Sequence, residues 1–516
     1  MSRPALVFIG FMGAGKSTAL EAARQAGLAE ETVEIDELME RELGKPIRRA
    51  FEEDGEEAFR AREAEVVGSL LERADGGAIA LGGGSVLSER IRAALARHIV
   101  VWLQIDRTEA WRRIAGTERP LATTEAEIGR LLEERQPLYE DLADAIVPMV
   151  GCDAVAEALT YVDHLRWLPT GTRMLWAHSR SGSYPAYVGP GLLDATGEER
   201  RWPLAGGRFC VTDRVVGPLY AERLPPLSVR IEVPPGEEAK TLAEAERVLR
   251  ELAREGMTRS DHLVALGGGV VGDLGGLCAH LYQRGVRVVQ VPTTLVAQVD
   301  SAYGGKTGVD LPEGKNYAGA YHLPAVVLAD TDALASLPQA DLAAGFVEAL
   351  KTGLLAGGRL WERVRSIERL AAGELDDVVF ACARYKCEVV AEDERDAGRR
   401  QILNLGHTVG HAIEAATGYR RYRHGEAIGL GLLAALRLSG ASGLRAECEE
   451  ILRRHGLPVQ IDPEVPTDEV LDALQRDKKR TAAGVGFVLL PEPGVQHTGQ
   501  LLDEAKVRSA VEELYR

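Results

Sequence analysis

The stretch Asn404-Leu-Gly-His407-Thr-Val-Gly-His411-Ala-Ile-Glu414, followed by His424-Gly-Glu426, gathers three of the chain's eleven histidines within eighteen residues. His407 and His411 are four apart, so on a helix they share one face. Their neighbours are small and apolar, which predicts a buried helix, and a buried imidazole needs a partner. The pair suits zinc, whose nitrogen and oxygen ligands lie at about 2.0–2.2 Å. It equally suits a structural or acid–base pair. A carboxylate would complete a metal site, and spacing alone does not select one.

A second chemical signal stands near the N-terminus. Leu6–Ile9 is a short β-type run, and Gly10-Phe-Met-Gly13-Ala-Gly15-Lys16-Ser17-Thr18 follows it. This is a full G-x-x-x-x-G-K-[ST] loop between a strand and a helix. Backbone N–H groups would wrap phosphates, Lys16 would reach the β- and γ-phosphates, and Ser17 would hold Mg²⁺. Glu34 and Asp36 end the strand-like Thr32–Ile35. They suit a Mg²⁺ water shell, a substrate hydroxyl, or plain solvated loop charge. Phe51–Arg62 reads as an acidic helix carrying Arg60, and Ala78–Leu81 as a buried strand opening into Gly82-Gly83-Gly84. Arg112–Thr124 is polar, with Arg119-Pro120 inside it, and Arg135 precedes Pro137-Leu-Tyr139.

The elements that must position the histidines come from the later two thirds, which alternate strand and helix signals as a parallel α/β layer does. Phe209–Asp213 is a strand ending in an acid. Glu237 and Lys240 are three apart. His262–Gly267 runs into Gly268-Gly269-Val270-Val-Gly272-Asp273, either a dinucleotide platform or a plain tight turn. Val288–Pro292 leads to Thr293-Thr294, then Asp300-Ser301. Lys306, Lys315 and Asn316 read as lying on glycine-rich loops, a set suited to a phosphorylated, polyhydroxylated substrate. After about residue 336 the pattern is helical. Glu348 and Lys351 sit three apart in an apolar helix and need partners. Lys386, Asp396, Arg400, Asn404 and Asp477-Lys478-Lys479 follow.

The 516 residues exceed one core and predict about three domains, here 1–168, 169–335 and 336–516. A net charge of −17 argues against nucleic-acid and anionic-membrane partners. Six scattered cysteines without a CxxC pair fit a reducing compartment. The N-terminus lacks a secretory pattern, and the longest apolar run, near Ala427–Leu436, is about half of what spans a bilayer. A cytoplasmic enzyme is expected.

Residues 1 to about 165 resemble shikimate kinase. The phosphate loop, the acidic pair, Phe59-Arg60, Gly82–Gly84, Arg119-Pro120 and Arg135 before Pro-Leu-Tyr match in order. The resemblance implies a small nucleoside-monophosphate-kinase-like α/β fold with a lid, and Mg²⁺ with ATP. Asp36, Arg60, Gly83 and Arg135 would bind shikimate, and Lys16 and Arg119 would stabilise the transferring phosphoryl group. The family usually has Asp where this chain has Glu34, which puts the rate in question.

Residues from about 175 to 516 resemble 3-dehydroquinate synthase, most specifically through Gly268–Asp273, Pro292–Lys306, Lys315-Asn316, Asn404–His411 and His424-Gly-Glu426. That implies a Rossmann-like NAD domain before a helical metal domain. It implies Glu348, His407 and His424 as ligands of zinc (cobalt being an alternative), with His411 near a substrate phosphate instead. NAD would contact Asp213, Glu237, Lys240, Gly268, Gly269, Val270, Asp273, Thr293, Thr294 and Ser301. The heptulosonate phosphate would meet Asp300, Lys306, Asn316, Lys351, Lys386, Arg400, Asn404 and His411, together with Lys478 or Lys479. Lys315 would be shared, and Arg284 would come from the partner subunit of a homodimer. The implied reaction has no net redox change: a hydroxyl is oxidised, phosphate leaves, the ketone is reduced, the ring opens and an aldol step closes a carbocycle. A related sugar-phosphate cyclase or polyol dehydrogenase, fused to a non-catalytic nucleotide module, is the rival reading. A kinase of another small hydroxylated acid is a further rival for the first half.

Overall fold

The computed structural model describes residues 3–115, 124–148, 152–198, 201–475, 480–481 and 484–516. The chain forms two compact units, Met1–His178 with Ser183–Tyr187, and Ser179–Gly182 with Val188–Arg516.

The first unit is built on short strands whose apolar runs lack alternation, as strands covered on both faces must. Leu6–Ile9 and Ala78–Ala80 are buried throughout, as is Ile99–Gln104 up to its last residue. The sheet order is Thr32–Glu34, Ala78–Ala80, Leu6–Ile9, Ile99–Gln104, Ala145–Pro148, and every one of these neighbours pairs in parallel. Ligand sites in such sheets lie beyond the carboxyl ends of the strands. Here the Leu6–Ile9 end carries the phosphate loop and the Ala78–Ala80 end carries Gly82–Gly84.

Two expectations need correction. Ile35 is not the end of a strand but the first residue of the Ile35–Leu43 helix. The acidic helix expected over Phe51–Arg62 is two helices, Ile47–Asp54 and Glu56–Arg73, because Gly55 adopts a φ of 86° that interrupts helical backbone.

The second unit holds a parallel sheet in the order Val326–Asp330, Arg287–Pro292, His262–Gly267, Arg208–Asp213, Val229–Val233. Phe209, Val211, Ile231, Leu263 and Ala265 join Leu274 and Leu277 of the Gly269–Leu281 helix in one core. Lys306, Lys315 and Asn316 lie not on loops but on an antiparallel ribbon, Lys306–Leu311 with Gly314–Tyr321. Long helices follow, among them Gln339–Ala356, Asp376–Glu392, His407–Ala416 and His424–Leu438. The expected all-helical end also contains a small antiparallel sheet, with Gly484–Glu492 against Val495–Leu501. Among the described residues no helix is long and apolar enough to cross a membrane.

Candidate active sites

In the first unit Lys16 opens the Lys16–Gln25 helix, and its Nζ donates to the Gly10 and Phe11 carbonyls, each at 3.0 Å. That draws the cation over the loop containing Gly13 and Gly15, with Ser17 and Thr18 exposed in the first helical turn. Burial raises the Glu34 carboxyl above the usual range, and the Ser17 hydroxyl, donating to it, pulls it back. The longer acid therefore still reaches the serine of the loop.

Beside the loop lies a cavity of about 660 Å³, lined by Asp36, Arg60, Gly83 and Arg135 among others. Arg135 is 4% exposed, and its Nη1 donates to the Gly83 carbonyl at 3.2 Å. Tyr139 Oη donates to that same carbonyl at 2.5 Å. Arg60 packs against the Phe51 and Phe59 rings, 5.6 and 5.4 Å from their centroids. Its Nη1 donates to Glu63 Oε2 at 2.6 Å, while Glu63 Oε1 accepts from Ser85 Oγ at 2.6 Å. A Cβ at Gly84 would stand 2.4 Å from Arg60 Nη2, so any larger residue there would displace the guanidinium from this position. The Arg60 and Arg135 guanidinium groups with the Asp36 carboxylate on the wall of this cavity suit an anionic, hydroxylated ligand. Glu63 and Tyr139 were given no role from sequence; Glu63 lies three residues after Arg60, a spacing that signals an ion pair on one helical face. Arg119 lies outside the described residues.

In the second unit the expected cofactor residues gather at the carboxyl ends of the parallel strands. Asp213 ends one strand, and its Oδ1 accepts from the Val215 and Val216 N–H groups at 2.8 Å each. Gly268 caps the Gly269–Leu281 helix, which Gly269 and Val270 open. Thr294 Oγ1 accepts from Ala297 N at 3.3 Å, while Thr293 Oγ1 is buried with no partner. Lys240, also buried, lies 2.6 Å from Asp273 and 3.8 Å from Glu237. Asp300 and Ser301 share one turn, Ala297–Ser301.

Around this edge stand the expected substrate groups. Lys386 Nζ donates to Asp300 Oδ1. Burial alone would raise the Asp300 carboxyl, but Lys386 and Lys351 hold it well below the usual range. Arg400 is 1% exposed, and its Nη1 donates to the carbonyls of Glu394 at 2.6 Å and Gly304 at 3.2 Å. Lys306 pairs with Asp396 at 2.5 Å. Asn316 takes a left-handed φ of 58°, its N–H donating to Asp310 Oδ1 at 2.7 Å. Asn404 ends the Arg399–Asn404 turn just before the His407 helix. Arg284 is exposed at a φ of 66° after the Gly269–Leu281 helix. Lys478 and Lys479 lie outside the described residues.

Glu348, His407 and His424 come from three different helices, yet each offers a ligand atom within 4.8 Å of the others. Glu348 is 1% exposed. Its Oε2 lies 2.5 Å from Lys351 Nζ, and its Oε1 faces His424 Nε2 at 3.3 Å and His407 Nε2 at 3.6 Å. Neither oxygen has an aligned hydrogen bond. The other ring nitrogens are occupied: His407 Nδ1 meets the Leu405 carbonyl at 3.1 Å and His424 Nδ1 meets Glu414 Oε2 at 3.4 Å. Both imidazoles thus turn Nε2 toward the buried Glu348 carboxylate. Burial opposes a charge on His424, but Glu348 and Glu414 raise its pKa to about 10, so a metal bound at Nε2 would displace a proton. One carboxylate oxygen and two imidazole nitrogens converging on one point would fit a divalent cation. His411 stacks edge-on to His407, 5.2 Å between centroids, and does not share the Glu348 cluster. Glu414, which sequence reasoning left without a role, lies seven residues after His407 on the same helical face.

These frameworks define the class: an enzyme of small-molecule chemistry with a candidate site in each unit. The shikimate kinase family profile matches residues 12–162, and the N- and C-terminal 3-dehydroquinate synthase profiles match 230–344 and 345–480. The 3-dehydroquinate synthase of Symbiobacterium thermophilum is 42% identical over 330 residues, 60% of this chain and 92% of its own. That of Halorhodospira halophila is 42% identical over 353 residues, 66% of this chain and 99% of its own. Among solved structures, 2-deoxy-scyllo-inosose synthase complexed with carbaglucose-6-phosphate, NAD⁺ and Co²⁺ superposes with a TM-score of 0.59 at 25% identity, covering 66% of this chain and 99% of that one. The 2-epi-5-epi-valiolone synthase of Streptomyces hygroscopicus subsp. jinggangensis, with NAD⁺ and Zn²⁺ bound, gives 0.58 at 25% identity, covering 66% and 98%. The chain belongs to the 3-dehydroquinate synthase family, and its first third to the shikimate kinase family.

Proposed function

We propose that the chain catalyses two reactions of one pathway. One is ATP-dependent phosphorylation of shikimate to shikimate 3-phosphate. The other is conversion of 3-deoxy-D-arabino-heptulosonate 7-phosphate to 3-dehydroquinate with loss of phosphate. The observation that carries the second reading is the Glu348–His407–His424 cluster, in a chain 42% identical to named synthases over most of their length. The cavity holding Asp36, Arg60 and Arg135 beside a complete phosphate loop supports the first.

In the kinase site Lys16 and Ser17 hold the phosphates and Mg²⁺, Arg60 and Arg135 hold the acceptor's carboxylate, Asp36 and Gly83 complete its pocket, and Arg119 covers the transferring group. In the synthase site Asp213, Glu237, Lys240, Gly268–Val270, Asp273, Thr293, Thr294 and Ser301 form the NAD platform. Glu348, His407 and His424 hold zinc or cobalt. When bound, NAD supplies a hydride acceptor and the metal a Lewis acid. Lys306, Lys315, Asn316, Lys351, Lys386, Arg400, Asn404 and His411 orient the substrate and its phosphate, with Asp300 holding Lys386, and Lys478, Lys479 and the partner's Arg284 completing the set. Domain limits of 1–168, 169–335 and 336–516, a homodimer through the synthase half and a cytoplasmic site of action belong to the same proposal.

The test is ADP formation by the purified chain with Mg-ATP and shikimate, gluconate or no acceptor, alongside phosphate release from the heptulosonate phosphate with NAD and zinc. Shikimate-dependent ADP and NAD-dependent phosphate release are expected. NADH accumulating during turnover would favour the polyol dehydrogenase reading. ATP binding without turnover would leave the first unit a nucleotide-binding module.

A further inference from the structure

Glu414 joins two parts of the synthase site that no residue assigned above connects. It is 2% exposed, and burying a carboxylate is costly unless both oxygens are matched. Its Oε2 lies 3.4 Å from His424 Nδ1 and its Oε1 accepts from Lys315 Nζ at 3.2 Å. Lys315 also sits 3.9 Å from Glu237 and 4.6 Å from the centre of the Tyr419 ring. Tyr419 in turn takes a left-handed φ of 57°, and its N–H donates to the Glu414 carbonyl at 2.8 Å, closing the end of the helix around this contact.

Resting on the functional reading above, we propose that Glu414 is a positioning residue: one oxygen fixes the His424 ring so that Nε2 faces the metal, and the other fixes the Lys315 ammonium for NAD and substrate. A ligating imidazole whose second nitrogen is held by a carboxylate keeps its tautomer and ring angle. The same carboxylate holding a lysine ties that ring angle to the placement of the cation.

The full-length chain is purified as parent, Glu414→Ala and Glu414→Gln. Zinc affinity is read by competition with a chromogenic chelator, the visible spectrum of the cobalt-loaded protein reports ligand geometry, and NAD affinity is read by calorimetry. Glu414→Ala is expected to weaken zinc about 10–100-fold and to shift the cobalt bands. The glutamine amide oxygen still accepts from Nδ1–H, but its NH₂ turns toward Lys315. Glu414→Gln should therefore keep zinc within about threefold while weakening NAD about tenfold or more. This split would not follow from a general packing defect, and it stands even where the alanine variant fails to fold. Variants matching the parent in zinc, cobalt spectrum and NAD would overturn the proposal alone. A parent that binds neither zinc nor NAD would overturn the functional reading, and this inference with it.

Discussion

Glu348 carries the metal assignment at the level of single residues, because its buried Oε1 faces two imidazole nitrogens. Replacing it by glutamine keeps the shape and removes the charge that a dication needs. Glu348→Gln should lower zinc affinity by at least about 100-fold, since a ligand is lost rather than a supporting group, with the far-ultraviolet circular dichroism unchanged. Chelator competition checks this. In the kinase cavity Arg135 gives Nη1 to the Gly83 carbonyl while its guanidinium also lies against Tyr139 and lines the space for a ligand. Lysine cannot do both, so Arg135→Lys should raise the KM for shikimate about tenfold with kcat less affected. Initial rates over shikimate concentration decide it. The phosphate loop was legible in the chain because its chemistry is contiguous. The Glu348–His407–His424 cluster was not: periodicity offers His407 with His411, whereas the structure brings His407 to His424 and to Glu348 on other helices. Only the family resemblance pointed there.

Two seams hold these residues in place at the level of elements. The His424–Leu438 helix meets its neighbours at backbone distance because Gly425 and Gly431 face them. A Cβ at Gly425 would lie 1.8 Å from the Ala344 carbonyl oxygen, and one at Gly431 2.0 Å from that of Gly406. Gly425→Ala must push the helix bearing His424 away from the helix bearing Glu348. It should cost about 1–3 kcal/mol or more and weaken zinc about tenfold or more, read by thermal denaturation and chelator competition. In the first unit Asp144 lies on the seam between the Ile99–Gln104 and Ala145–Pro148 strands. Burial raises its carboxyl to about 6, although Val100 N–H donates to it. The folded state thus keeps a proton that the unfolded chain has lost above about pH 4, so this group's contribution to stability falls as pH rises from about 4 to about 6. Asp144→Asn retains an acceptor for Val100 and removes the titration. It should match the parent near pH 4 and exceed it by about 1–3 kcal/mol at pH 7, seen as diverging melting curves. The parallel strands were legible from their unbroken apolar runs. The break at Gly55 and the Lys306–Tyr321 ribbon were not, because helical charge patterns continue across the first and glycines mask the second.

The chain as a whole divides its chemistry between the two units. Every described residue proposed for phosphoryl transfer belongs to the first, and every one proposed for the synthase reaction belongs to the second. Sites without shared partners have additive energies to within about 0.3–0.5 kcal/mol, roughly a factor of two in rate. Lys16→Met removes a preorganised cation from the phosphates and should lower shikimate-dependent ADP formation by about 10²–10³, leaving phosphate release from the heptulosonate phosphate within about twofold. His424→Ala should do the reverse, abolishing zinc-dependent phosphate release while ADP formation stays within about twofold. The double variant should show each loss at the size it has alone. A loss in one reaction caused by the other site's substitution would mean that the two units exchange more than a peptide chain, through a conformational equilibrium that both sites bias. Steady-state assays of both reactions on the same four preparations, parent included, measure this directly.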